Sequence, residues 1–264
     1  MAFANCNGVV LHYRVSGPAD GLPLVLSNSL GTDHRIWDDV VAILSNRYKI
    51  LAYDKRGHGL SDAPEGPYSV ADHAADLLAL TKIVGFDRFA LCGVSVGGMI
   101  AQYVAANQPG KVAALILCDT AVKIGNAETW NARIEAVRRD GIASISEAIL
   151  ERWLSPSFRT ERKDDYSGWR NLLERTSPVG YAATCETVRD ADLTDDAARI
   201  EAPTLVICGE NDLSTPPALV SETAKLIRSA SFKTIAGAGH IPSIEQAEIL
   251  AGLMRSHFEE ANYV

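Results

Sequence analysis

The sequence predicts an α/β fold: a mostly parallel central sheet with helices on both faces, interrupted by a helical cap insertion. Three observations predict it. Runs such as Leu115-Ile116-Leu117-Cys118 and Leu205-Val206-Ile207-Cys208 are apolar throughout, as strands buried on both faces must be. These runs alternate with helix-spaced stretches of about 10–15 residues, which implies parallel strands joined by crossover helices. The rhythm stops near residue 122 and resumes near residue 200. We therefore expect a core from residues 1–122 and 200–264 and a cap from residues 123–199. A chain of 264 residues, 47% hydrophobic and 22% charged, can bury such a core without covalent staples.

Taken in order, VVLHYRV (9–15) reads as an antiparallel strand and LPLVLSNSL (22–30) as a buried strand running into a loop. YKILAYD (48–54) is the next strand, followed by the turn-rich KRGHGLSDAPEGP. Residues 69–84 have helical spacing, with Ser69 placed to cap their N-terminus. The strand RFALCG (88–93) leads into a helix over 97–108, and AALILCD (113–119) is a further strand. The insertion has no buried-strand run but carries Trp130, Trp153 and Trp169 among many charges. The core then returns with PTLVICGEND (203–212), a helix near 217–229, the strand-to-loop run FKTIAGAGH (232–240) and a helix near 243–260.

Chemistry concentrates where these strands end. Gly93-Val94-Ser95-Val96-Gly97 matches G-x-S-x-G, a match that chance alone supplies in about one chain in ten of this length. Its position between a strand and a helix makes it specific. A sharp turn there strains the residue at its apex, and glycines two positions away remove side chains that would collide. One hydroxyl is thereby lifted to the positive end of a helix. A serine needs a base to become a nucleophile, and the base needs an orienting acid. Asp212 and His240 follow the next two strands, so the chain order is Ser95, Asp212, His240. Asp119 also ends a strand and is the rival acid. The oxyanion donors expected by position are the amides of Val96 and of Leu30, in the loop SNSLGT. Among the other histidines, His58 braces its turn, His12, His73 and His257 are structural or solvated, and His34 lines the site.

A net charge of −8 argues against nucleic acid or an anionic membrane as a partner. The five cysteines form no C-x-x-C pair, and residues 1–15 lack a secretory pattern, so a reducing, cytoplasmic setting is expected. No window reaches the ~18 apolar residues of a membrane span. The triad chemistry requires neither a metal nor an organic cofactor.

The motifs GVSVGG, YDKRGHGLSD, GENDLSTPP and GAGHIPSIE resemble the α/β-hydrolase superfamily. Where most of its members carry His-Gly, this chain has Asn28-Ser29-Leu30-Gly31-Thr32, which is similar to the 3-oxoadipate enol-lactonases. RGHGLSDAPEGPYSV and TWNARIEAVRRDGI are similar to that group too. The resemblance is weakest over residues 155–180. It implies hydrolysis of 3-oxoadipate enol-lactone to 3-oxoadipate in bacterial aromatic catabolism, the β-ketoadipate pathway, with Ser29 against the substrate. The small-molecule partner it implies is an anionic lactone, whose free carboxylate needs a local cation on an acidic protein. Trp130, Ile134 and Val137 share one helix face. Arg133 flanks that face, Arg138 lies at its other edge and Arg139 points away. Arg133 is thus the expected carboxylate ligand, with Trp153 a pocket wall. A general carboxylesterase or perhydrolase of the same fold is the alternative reading, and a lactone receptor without turnover a remoter one.

Overall fold

An Asn-Gly turn opens the fold. Asn7 and Gly8 have φ of 55° and 83°, the left-handed pair a two-residue hairpin needs. They fold β1 (Ala2–Cys6) back antiparallel on β2 (Val9–Ser16). β1 leaves no mark in the hydrophobic pattern of the sequence, because it is an edge strand with partly exposed residues and no apolar run. Six parallel strands follow: β3 (Leu22–Ser27), β4 (Tyr48–Tyr53), β5 (Phe89–Val94), β6 (Val112–Cys118), β7 (Thr204–Gly209) and β8 (Ala230–Ile235). The sheet order is β1-β2-β4-β3-β5-β6-β7-β8, and β2 joins β4 antiparallel. The computed structural model describes residues 2–228 and 230–263.

The core helices α1 (Asp38–Leu44), α2 (Val70–Ile83) and α3 (Val96–Asn107) precede six shorter or longer helices inserted between β6 and β7. These are α4 (Ala127–Asp140), α5 (Ser146–Trp153), α6 (Pro156–Glu161), α7 (Lys163–Glu174), α8 (Pro178–Asp190) and α9 (Thr194–Arg199). The chain ends with α10 (Pro217–Leu226), α11 (Pro242–Glu245) and α12 (Ala247–Glu260). Strand alternation divides the core. Leu24 and Leu26 pack with Val40, Leu44, Met254 and Phe258 on the face covered by α1 and α12. Val25 and Leu51 pack with Leu77, Ile100 and Val220 on the face of α2, α3 and α10. Among the described residues, no helix is long and apolar enough to cross a membrane.

Local signals set the helix ends. Ser69 caps α2 in a capping box: its hydroxyl accepts from Asp72 N, and the Asp72 carboxylate accepts from Ser69 N. The single helix expected over 243–260 is instead broken at Gln246, which has φ −141° and ψ 48°. The reason is tertiary. The Glu245 carboxylate accepts from Ser155 N (3.1 Å) and Gly239 N (2.9 Å), which fixes α11 to the α5–α6 junction and to the loop before His240.

Candidate active site

Ser95 sits between the end of β5 and the start of α3 with φ 58° and ψ −121°. This costs a non-glycine residue about 1–3 kcal/mol, so its surroundings must over-determine it. Ser95 N donates to Cys118 O (3.0 Å), while Ser95 O accepts from Met99 N (3.0 Å) and Thr120 Oγ1 (2.7 Å). A Cβ on Gly93 would overlap Gly97 O, and one on Gly97 would overlap Ser27 O. The two motif glycines thus let β5, α3 and the end of β3 approach within backbone contact. The hydroxyl is left at the N-terminus of a 12-residue helix, where the macrodipole favours negative charge.

Asp212 and His240 are brought together at the ends of β7 and β8. Asp212 Oδ2 accepts from His240 Nδ1 (2.9 Å) and Thr215 Oγ1 (2.6 Å). Its Oδ1 accepts from Ser214 N (2.7 Å) and Thr215 N (3.0 Å). Burial pushes the Asp212 pKa up, but the His240 charge and these hydrogen bonds outweigh it and hold the pKa below the ordinary value. A carboxylate only accepts, so His240 Nδ1 carries a proton, and in the neutral ring Nε2 keeps its lone pair. Ser95 is 9% exposed and His240 2%. Ser95 Oγ and His240 Nε2 are nonetheless not sealed off, and no hydrogen bond joins them. Such a contact is commonly loose until substrate arrives.

Asp119, the rival acid, makes no hydrogen bond to His240 among the described residues. Its Oδ1 accepts from Gly209 N (2.7 Å), and its buried Oδ2 has no partner. Burial, and then the charge of Asp212, push its pKa far up. Its surroundings therefore favour the neutral carboxyl, whereas those of Asp212 favour the carboxylate.

Among the described residues, nothing accepts from the amide of Leu30 or of Val96. The loop carrying Leu30 is held from the turn after β4. Gly31 N donates to His58 Nε2 (2.9 Å), whose Nδ1 donates to Arg56 O (3.2 Å). His58 thus braces the neighbouring loop as well as its own. Burial, then the Lys55 charge, hold its pKa far below the usual imidazole value, so it stays neutral. Buried Lys55 Nζ donates to Asn28 O (3.4 Å) and to Ser29 O. Sequence reasoning missed Lys55, Thr120 and Thr215. Only Thr215 had a local signal, since Asp212 caps its own turn three residues on.

The cap closes over this arrangement. Trp153 O accepts from His240 N (2.7 Å), while Trp153 Cη2 would lie 3.2 Å from a Cβ on Gly31. Trp153 therefore spans from the histidine loop to the Leu30 loop. Arg133 is half-buried and stacks on Trp130, its Cζ 4.8 Å from the ring centroid. Arg138 is tied to Glu186 and Arg139 to Asp140. Ser29 is buried with an unpartnered Oγ. His34 is engaged elsewhere, because Nδ1 bonds Asp54 Oδ1 (2.9 Å). It lines a cleft of about 820 Å³ with His12, Trp169 and Arg175, and Ser95, Asp212 and His240 do not line that cleft.

Among the described residues, two clusters have metal-ligand residue types: His12, His34 and Asp54, and Asp119, Cys208 and Asp212. Neither suits an ion. Asp54 already accepts from both imidazoles and from the amides of His34 and Leu60, and Asp212 is equally occupied.

Comparison with known proteins agrees with this fold. The family model for the alpha/beta hydrolase fold matches residues 23–247. 3-Oxoadipate enol-lactonase 2 of Acinetobacter baylyi is 34% identical over 242 residues, covering 91% of this chain and 90% of that protein. 3-Oxoadipate enol-lactonase 1 of the same organism is 33% identical and covers 96% of both. The crystal structure of the enol-lactonase from Burkholderia xenovorans LB400 superposes with a TM-score of 0.95 and 35% identity, over 98% of this chain and 100% of that one.

Proposed function

The chain belongs to the α/β-hydrolase superfamily, in the family of the 3-oxoadipate enol-lactonases, and from that premise we propose that it hydrolyses 3-oxoadipate enol-lactone to 3-oxoadipate in aromatic catabolism. It is a hydrolase acting on the ester bond of a lactone. One observation carries the chemistry: His240 commits Nδ1 to Asp212 and leaves Nε2 free as a base, while Ser95 is held at the strained turn after β5, a strand of the same parallel sheet.

Ser95 Oγ adds to the lactone carbonyl as His240 Nε2 takes its proton. The amides of Leu30 and Val96 receive the oxyanion, and each such donor is worth roughly 10²–10³ in rate. Asp212 stabilises the imidazolium. Collapse breaks the ring C–O bond and expels an enolate, a better leaving group than an alkoxide. The enolate takes the His240 proton, and ketonisation of the resulting enol draws the reaction forward. His240 then deprotonates water, which attacks the acyl-enzyme and returns Ser95 with its proton.

The substrate's free carboxylate matches Arg133. Among the described residues, the half-buried cap arginines Arg159, Arg170 and Arg189 have acidic partners and Arg133 has none. The test is turnover of freshly generated 3-oxoadipate enol-lactone beside Ser95→Ala and a neutral aryl ester. We expect Ser95-dependent turnover that favours the lactone. Turnover no faster than Ser95→Ala, or a clear preference for the aryl ester, refutes the assignment.

A further inference from the structure

The cap holds a second group with nothing to bond. Tyr181 in α8 is fully buried, and its hydroxyl has no hydrogen-bond partner. Buried hydroxyls are almost always satisfied, so one left unpaired calls for an explanation. Its position supplies one. Tyr181 Cε2 would lie 3.0 Å from a Cβ on Gly31, beside the ring of Trp153. The phenol ring therefore lies on the loop that carries the Leu30 amide.

Arg133 is its neighbour across the α4–α8 contact, which Arg189 Nη1 also bridges by donating to Asn131 Oδ1 (2.9 Å). Burial raises the Tyr181 pKa, and the Arg133 charge partly opposes that rise. The two side chains are thus close enough to interact, although no hydrogen bond of ordinary geometry is formed by the Tyr181 hydroxyl. A guanidinium can only donate, and a phenol placed beside one is best used as a donor to a shared acceptor. A carboxylate offers two oxygens and about four lone-pair sites. It fits two converging donors where a neutral ester group offers weaker acceptors and no charge.

We propose that Tyr181 Oη and Arg133 jointly bind the substrate's free carboxylate, which makes Tyr181 a specificity-determining residue of the lactone site. The proposal rests on the lactonase reading above and adds to it a residue and a mode of charge recognition. Cys185, one turn further along α8, adds no competing charge, because burial pushes its thiol pKa up to about 12.

The experiment compares wild type, Tyr181→Phe and Arg133→Ala on the enol-lactone and on the same lactone methylated at its free carboxylate. Tyr181→Phe should reduce the preference for the anion about tenfold or more, mainly through KM, as expected for a hydrogen bond to a charged group. Its melting temperature without substrate should hold or rise, because the substitution removes an unpaired buried hydroxyl. A purely structural tyrosine would instead lower the melting temperature and leave the preference intact. If Arg133→Ala erodes the preference and Tyr181→Phe does not, the Tyr181 proposal alone is overturned. If wild type shows no turnover of the lactone, the lactonase reading falls and takes the proposal with it.

Discussion

Replacing Asp212 by asparagine tests the orientation of His240. The substitution keeps the size of the side chain and an oxygen able to accept from Ser214 N and Thr215 N, as Oδ1 does now. The amide nitrogen then faces His240 Nδ1, where the carboxylate now accepts a hydrogen bond of 2.9 Å. An amide NH₂ can only donate, so the imidazole must present a lone pair there and carry its proton on Nε2. That nitrogen is the one required as base. A wrong tautomer of this kind costs ~10⁴ in kcat, or about 5.4 kcal/mol at 1.36 kcal/mol per decade. Asp119→Asn is the matched control. Burial and the charge of Asp212 favour the neutral form of Asp119, which an amide mimics. It also preserves the acceptor for Gly209 N. We expect a loss under about tenfold, or 1.4 kcal/mol. Steady-state kcat on the lactone, followed by loss of its ultraviolet absorbance, separates the two. Equal losses in both variants, or a larger one in Asp119→Asn, would move the acid role to Asp119 and refute this reasoning.

His58→Phe removes the acceptor for Gly31 N and should lower kcat by about 10- to 100-fold, a fraction of one oxyanion donor, with KM much less affected; an unchanged kcat would show that this brace does not position Leu30. Stability should fall as pH drops below about 6.5, because burial lowers the pKa values of His58 and His73 in the folded state. The unfolded chain then binds protons that the folded one refuses, at about 1.4 kcal/mol per pH unit for each histidine. His73→Leu should remove one such share, read from urea melts between pH 5 and 7, and an unaltered slope would contradict it. The lowered pKa of Asp212 acts separately: its stabilisation is present above about pH 4 and is lost as pH falls through the folded value. Gly97→Ala places a methyl group on Ser27 O and should destabilise the protein by several kcal/mol, since backbone cannot yield as a flexible side chain can; a thermal midpoint within a few degrees of wild type would argue against the tightness of the elbow.

Much of this protein is written locally. The doubly buried runs at Leu115–Cys118 and Leu205–Cys208, the cap at Ser69 and the strand–Gly-x-Ser-x-Gly–helix turn each depend on residues within a few positions of one another. Chain order then places Ser95, Asp212 and His240 at strand ends, because a parallel sheet brings successive carboxyl ends to one edge. The Asn7-Gly8 dipeptide favours a type I′ turn, but β1 itself was not legible, because an exposed edge strand has no apolar run. Choices between distant partners were settled by packing alone. Asp212 rather than Asp119 meets His240, although both end buried strands. His58 reaches 27 residues back to Gly31, and Glu245 interrupts a helix to hold Ser155 and Gly239. Arg133 and Tyr181, on two helices of the insertion, become neighbours only when α4 packs on α8. Periodicity reports which face of a segment is buried. It carries no record of which polar atom on another segment waits there, and that is set by packing and by the cost of leaving buried donors and acceptors unpaired.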